Sequence, residues 1–317
     1  GIPYMASVPL ITFNLDLLTQ LEHEEPSADP TWAQWRFWLE GVYTALTGAG
    51  LSAEQMQINP DNDETDLSKA VFVQEDLAAF ASFLPSSLSS AGWATWNGYS
   101  FNFADNSFLV ALSWLRELAA AGYSPAHLTA QQQAAAFPGQ TRGKAEGRVV
   151  SWLIDSTELS FWHQQTAVRV GNSLIPSGQL SADADEQNQQ LSMPLAVRCL
   201  VISNQTKDAD WACRLAAFIA LDPDALLMQS RYQIHEGLYP LLDDPQVWQA
   251  LVDRQTYGSF MKSYRERFNN PIIGGQQILP QWDKIMTEVL GKSTLAFLSA
   301  DDDADLDVLF QEIQRRA

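Results

Sequence analysis

Basic residues are scarce in this sequence: 19 Lys and Arg stand against 38 Asp and Glu, a net charge of −19 over 317 residues. A surface with that balance repels phosphate backbones and anionic lipid, which sets nucleic-acid binding aside and leaves acidity mainly as a solubility feature. Cysteine is nearly missing. Cys199 and Cys213 are the two thiols, and free cysteine usually behaves as a small core hydrophobe, so both are expected to be buried and unpaired. A disulfide between them stays open if the chain is extracytoplasmic. Long apolar runs are lacking too, and no stretch approaches the roughly 20 residues of a membrane helix. The start, Gly1-Ile2-Pro3-Tyr4, has no initiator Met, basic n-region or A-x-A site, so it is not read as a signal peptide. Any targeting or anchoring segment is expected upstream.

Catalytic signatures fail when tested residue by residue. At Gly143-Lys144 a P-loop needs Gly where Pro138 stands, and Ser or Thr where Ala145 stands. There is no G-x-S-x-G elbow and no H-E-x-x-H. His23, His127, His163 and His235 are scattered without ligand spacing, so no metal centre is expected on them. Asp301, Asp303, Asp305 and Glu312 match the carboxylate positions of a calcium loop, but Leu306 occupies the place where its sharp turn needs Gly. An acidic helix N-terminus accounts for them more simply. No cofactor is implied. Carboxylates are abundant, yet no local pattern singles out a glycosidase pair.

What the chain does have is apolar content of 46% and eleven tryptophans, enough to bury a sizeable core. The opening stretch, IPYMASVPLITFNLDLL from Ile2 to Leu18, predicts one buried strand feeding a helix. Pro26 to Pro30 predicts a loop, after which Thr31 caps a helix running to about Leu46. Residues 48–68, with Pro60 and the run Asp61-Asn62-Asp63-Glu64, predict a solvated excursion, 74–84 a short amphipathic helix and 85–98 a loop. Asn106 and Ser107 cap a helix on which Phe108, Leu109, Leu112, Leu115 and Leu118 recur at helical spacing up to Gly122. Strands are expected at 147–153, 167–170 and 195–203, and a polar loop at 181–190. Helices are expected at 208–221, 245–266, 279–291 and 304–316. Helices alternating with short apolar strands give an α/β fold class.

Tryptophan in polar company is the feature that points to a ligand. Trp93 and Trp96 lie in Gly92-Trp93-Ala94-Thr95-Trp96-Asn97-Gly98-Tyr99, which has neither helical nor strand periodicity. Trp152 precedes Asp155 and Ser156 at the end of a strand, and Trp282 follows Gly274-Gly275-Gln276-Gln277. An indole face covers the apolar face of a sugar ring while short polar groups bind its hydroxyls. The competing account is core packing, and for the helical Trp32, Trp35, Trp38, Trp114 and Trp211 it is the expectation.

Several segments, taken in order, resemble the solute-binding proteins of ABC importers, in the branch that includes maltose-binding proteins. Ile2-Pro3-Tyr4 followed by Ile11-Thr12-Phe13-Asn14-Leu15-Asp16-Leu17-Leu18 is similar to that family's I/V-P and Y-N-x-D-L segment. Asp29-Pro30-Thr31-Trp32 resembles the P-P-T-T-W that follows it. ALSWLRELAAAGYSP at 111–125 looks like the mid-chain helix and its G-x-x-P exit, and 137–152 loosely matches the F-x-x-G-K-x-A-M segment without its Ala-Met. VISNQTKDADWACRLAAFIALDPD at 201–224 resembles the late strand, turn and helix, and Gly237-Leu238-Tyr239-Pro240 the G-x-L/V-P. The stretch from Leu21 to Ser90 matches poorly, and the units that normally precede the opening segment are not in the sequence.

The resemblance implies a class II periplasmic-binding-protein architecture of two α/β lobes. Residues 1–197 and 240–317 would then form the second lobe, with the crossing near residue 5, and 198–239 would be a remnant of the first. A lone strand and helix from the first lobe cannot bury their apolar face, so that part is expected against a partner copy or partly disordered. The function implied is non-catalytic binding of a sugar or oligosaccharide in an inter-lobe cleft, with an ABC permease as partner and an extracytoplasmic location, periplasmic or lipid-anchored. Trp93, Trp282 and Trp152, with Trp96 beside them, would stack on sugar, while Asp155, Ser156 and Gln277 would supply hydrogen bonds. A chain lacking much of the first lobe should bind weakly. Two other classes fit the same residues: a glycoside-active enzyme using paired carboxylates, and a sensor domain that binds a peptide or protein.

Overall fold

Proline splits the opening stretch in two. Ile2–Ser7 is strand β1 and Pro9–Asn14 is strand β2, with Val8 alone between them. Pro9 has no N–H to give to a ladder, so it suits the first position of a new strand rather than the interior of a longer one. The single strand expected from sequence is therefore two strands, and they belong to different sheets.

The computed structural model describes residues 1–48, 70–73, 106–123, 149–164, 168–177, 193–231, 237–253, 260–267 and 271–273, with isolated positions beyond. After β2 come helices α1 (Leu15–Gln20) and α2 (Trp32–Gly48), strand β3 (Ala70–Val73) and helix α3 (Asn106–Ala120). Strand β4 (Val149–Asp155) passes through a 3-10 turn (Ser156–Glu158) into α4 (Leu159–Gln164), and then come β5 (Val170–Leu174) and β6 (Met193–Leu200). Helices α5 (Ala209–Leu221) and α6 (Pro223–Arg231) precede β7 (Tyr239–Pro240). Helices α7 (Pro245–Asp253) and α8 (Phe260–Arg267) stand where one helix was expected, and β8 (Pro271–Ile273) follows. The helices predicted at 74–84, 279–291 and 304–316, the loops at 85–98 and 181–190, and most of 48–68 fall outside the described residues or touch them only at single positions.

The first sheet has the order β7-β1-β6-β8, and the second β3-β4-β2-β5. In the first, β1 runs antiparallel to β6 from Ile2↔Leu200 to Ser7↔Ala196, with a bulge between Pro3 and Met5. In the second, β2 is antiparallel to both β4 (Pro9↔Asp155, Phe13↔Ser151) and β5 (Leu10↔Leu174, Asn14↔Val170). Leu10 to Asn14 are all buried, so this strand shows no alternation of buried and exposed positions. Sheet membership changes at Val8, and β6 lies in the first sheet from Met193.

Local chemistry sets the helix ends. Thr31 Oγ1 accepts from the Gln34 amide at 3.2 Å while the Thr31 amide donates to Gln34 Oε1 at 2.9 Å, a reciprocal cap for α2. Gly122 takes φ +77 after α3, and the Tyr123 amide returns to the Leu118 carbonyl at 2.9 Å. The indoles of α2 and α3 then meet: Trp32 lies edge-on to Trp114 at 4.5 Å, and Trp35 stacks on Trp38 at 4.8 Å. All four are buried, as the core account expected.

Trp211 departs from that account. It is 67% exposed, and Leu215, Phe218 and Leu221 are exposed with it along one face of α5, joined by Met228 of α6. The apolar stripe is present at the predicted spacing but stays exposed, with the Arg214 guanidinium of the same helix 5.5 Å over the Trp211 ring. Cys199 and Cys213 are likewise free and exposed rather than buried. Cys213 rides on α5, and Cys199 sits at the end of β6 between exposed Arg198 and partly exposed Leu200.

Candidate ligand-binding site at the junction of the two sheets

β4 delivers Trp152, Asp155 and Ser156 to the place where the two sheets meet. Their local environments differ sharply. Trp152 is wholly buried, opposite Thr12 of β2 in the ladder, with its ring 4.9 Å from that of Trp162. No face of that indole is open to a sugar in this conformation; it is a core residue. Asp155 is partly exposed and caps the turn that follows. Its Oδ1 accepts from the Thr157 amide at 3.0 Å and hydroxyl at 2.6 Å, while Glu158 Oε1 accepts from the Asp155 amide at 3.2 Å. Ser156 is fully buried and spends its hydroxyl on the main chain. Trp93, Trp96, Gln277 and Trp282 lie outside the described residues.

A buried aromatic group forms the floor of the junction. The rings of Tyr239 and Tyr264 are 4.7 Å apart, and Trp248 is 5.4 Å from Tyr264. Burial first, and then the Asp155 charge, push the Tyr239 phenol above its ordinary value of 10. Burial and Tyr239 do the same to Tyr264. Both phenols stay neutral across the physiological range, so their rings serve in packing rather than as bases. Sequence reasoning singled out Gly237-Leu238-Tyr239-Pro240 as a resemblance but did not place Tyr239 near the site. The Gly-x-Tyr-Pro spacing was the available signal.

A second polar arrangement ties α4 to β5. The Thr12 hydroxyl donates to Asn172 Oδ1 at 2.8 Å, which turns the amide so that Nδ2 donates to His163 Nε2 at 2.7 Å. That bond needs the neutral imidazole, and burial lowers the His163 pKa below its ordinary 6.5 in the same sense. Among the described residues, no three His, Cys, Asp or Glu side chains gather as metal ligands. No described helix is long and apolar enough to cross a membrane.

No family model matches the sequence, and no curated protein matches it. Solved structures do. An ABC substrate-binding protein from Listeria monocytogenes in complex with cycloalternan, Lmo0181, superposes with a TM-score of 0.64 at 12% identity, covering 100% of this chain and 71% of that one. The cyclic alpha-maltosyl-1,6-maltose binding protein of Arthrobacter globiformis gives 0.66 at 14% identity, over 98% and 69% of the two chains. UgpB from Mycobacterium tuberculosis in complex with glycerophosphocholine gives 0.58 at 15% identity, over 100% and 69%. At these identities the likeness is one of fold. The chain shares the α/β fold of these substrate-binding proteins, as the resemblance in the sequence implied.

Proposed function

We propose that this chain is the non-catalytic ligand-binding component of an ABC importer, acting outside the cytoplasm and taking a neutral carbohydrate between its lobes. One observation carries the reading: the whole chain shares its fold with an ABC substrate-binding protein solved in complex with cycloalternan. The aromatic inventory supports it, because eleven tryptophans exceed what the buried clusters of α2, α3, α4 and α7 use. Trp93, Trp96 and Trp282 supply the stacking faces, Gln277 and the partly exposed carboxylate of Asp155 the polar contacts. Trp152 and Ser156 contribute by holding β4 and its turn in place. Closure about the crossings presents the loaded form to a permease.

The glycerophosphocholine complex shows that the fold also takes a phosphodiester in another protein. A net charge of −19 repels a net-anionic ligand, whereas a neutral polyol and a zwitterion such as glycerophosphocholine escape that repulsion, so titration has to separate the last two. Calorimetric titration with linear and cyclic α-glucans, glycerophosphocholine and short peptides separates these classes. Binding of a sugar without turnover supports the reading. Binding of a peptide alone, or hydrolysis abolished by one Asp or Glu substitution, overturns it.

A further inference from the structure

Three chain segments distant in sequence meet at Ser156. Val8 is the single residue between β1 in the first sheet and β2 in the second. Ser156 is the first residue past β4 of the second sheet. Gly237 lies just before β7 of the first sheet. The Ser156 amide donates to the Val8 carbonyl at 2.8 Å, and the Val8 amide donates to Ser156 Oγ at 3.0 Å. Ser156 therefore satisfies both main-chain groups of the residue at which the chain changes sheet. Its own hydroxyl hydrogen goes to the Gly237 carbonyl at 2.5 Å. One residue at the end of β4 in the second sheet thus bonds both the Val8 crossing and the segment that leads into β7 of the first sheet.

The surroundings leave no substitute for these bonds. Ser156 and Val8 are both fully buried, so water does not replace a lost partner without the junction opening. The close approach also depends on Gly237, which sits at φ +74 where a side chain is strained. A Cβ there would overlap the Ser156 carbonyl oxygen and lie 2.7 Å from Thr157 Cα. The Asp155, Thr157 and Glu158 cap fixes the turn that carries Ser156 and so aims its hydroxyl.

We propose that Ser156 is the pin of the inter-sheet hinge, a positioning residue that holds the Val8 crossing and the Gly237 approach to β7 against the end of β4 and limits the relative motion of the two lobes. The proposal rests on the two-lobe closing mechanism given above for its use, but its test needs no ligand. Hydrogen–deuterium exchange of the protein and its Ser156→Ala variant reads the pin directly. Amides at Val8 and around 237–240 should exchange about tenfold faster in the variant, while the centres of β2 and β4 keep their protection. Equal acceleration in every strand would mean a general loss of stability, and unchanged exchange at Val8 would mean no pin; either result overturns the proposal. Ser156→Cys, which keeps the volume and a weak donor, is the second variant if Ser156→Ala does not fold, and the same outcomes decide it. Failure of every sugar to bind would count against the function proposed above and leave this exchange result standing.

Discussion

The guanidinium of Arg267, 2% exposed at the end of α8, forms an ion pair with Asp29 in the loop before α2. Its Nη1 also donates to the Ile175 carbonyl at 2.7 Å, so one side chain ties α8 to both the 26–30 loop and the exit of β5. Burial lowers its pKa to about 9, which leaves it charged at neutral pH. Removing one member of such a pair strands a buried charge. Asp29→Asn, which leaves the cation inside, should cost about 3–5 kcal/mol in denaturant unfolding. Arg267→Met should cost less, because Met fills the volume and Asp29 still reaches solvent. The opposite order would contradict this account of the pair.

Trp152 separates core packing from ligand contact. Fully buried against Trp162, it should lose about 3–5 kcal/mol of stability as Trp152→Ala. Trp152→Phe should retain ligand affinity within about threefold, since a residue this buried offers a sugar no face. A large affinity loss at unchanged stability would return Trp152 to the binding surface.

The bond from Asn172 to His163 predicts a pH dependence whose sign follows from the lowered pKa. A histidine held neutral in the folded protein adds stability that is complete above its unfolded value of 6.5 and is lost as pH falls from there through the folded pKa. The melting temperature should drop between pH 7 and pH 5 more steeply in the native protein than in His163→Gln. The glutamine amide oxygen accepts from Asn172 without titrating. Identical slopes would exclude a neutral His163 as the acceptor of the Asn172 bond.

Much of the helical framework was legible because its signals are local. Thr31 with Gln34, Asp208 ahead of α5 and Gly122 after α3 each set a helix end within a few residues of chain. The division of the opening stretch was not legible. A run buried along its whole length carries no period, and the bonds that hold the main chain at Val8 come from Ser156, 148 residues away. For the same reason Ser156 read as a polar group beside a ligand carboxylate, whereas its bonds to Val8 and Gly237 put it inside. Periodicity revealed the apolar stripe of α5 but not what lies over it, so Trp211 was expected in the core and is exposed.

That stripe makes its own prediction. Leu215 and Phe218 are 59% and 53% exposed, so their burial contributes little to the folded chain. The double substitution Leu215→Glu with Phe218→Glu should change unfolding free energy by no more than about 0.5 kcal/mol per site. A loss of several kcal/mol would show that the face is covered in the folded protein.

The central claim is that the chain binds a carbohydrate and does no chemistry on it. Isothermal titration with a panel of linear and cyclic α-glucans, paired with an assay for released reducing ends, tests it most directly. The account predicts saturable one-to-one binding to at least one oligosaccharide, no reducing ends released, and at least a tenfold loss of affinity in Trp93→Ala. No binding by any sugar with Trp93→Ala silent, or turnover that a single carboxylate substitution abolishes, would contradict it.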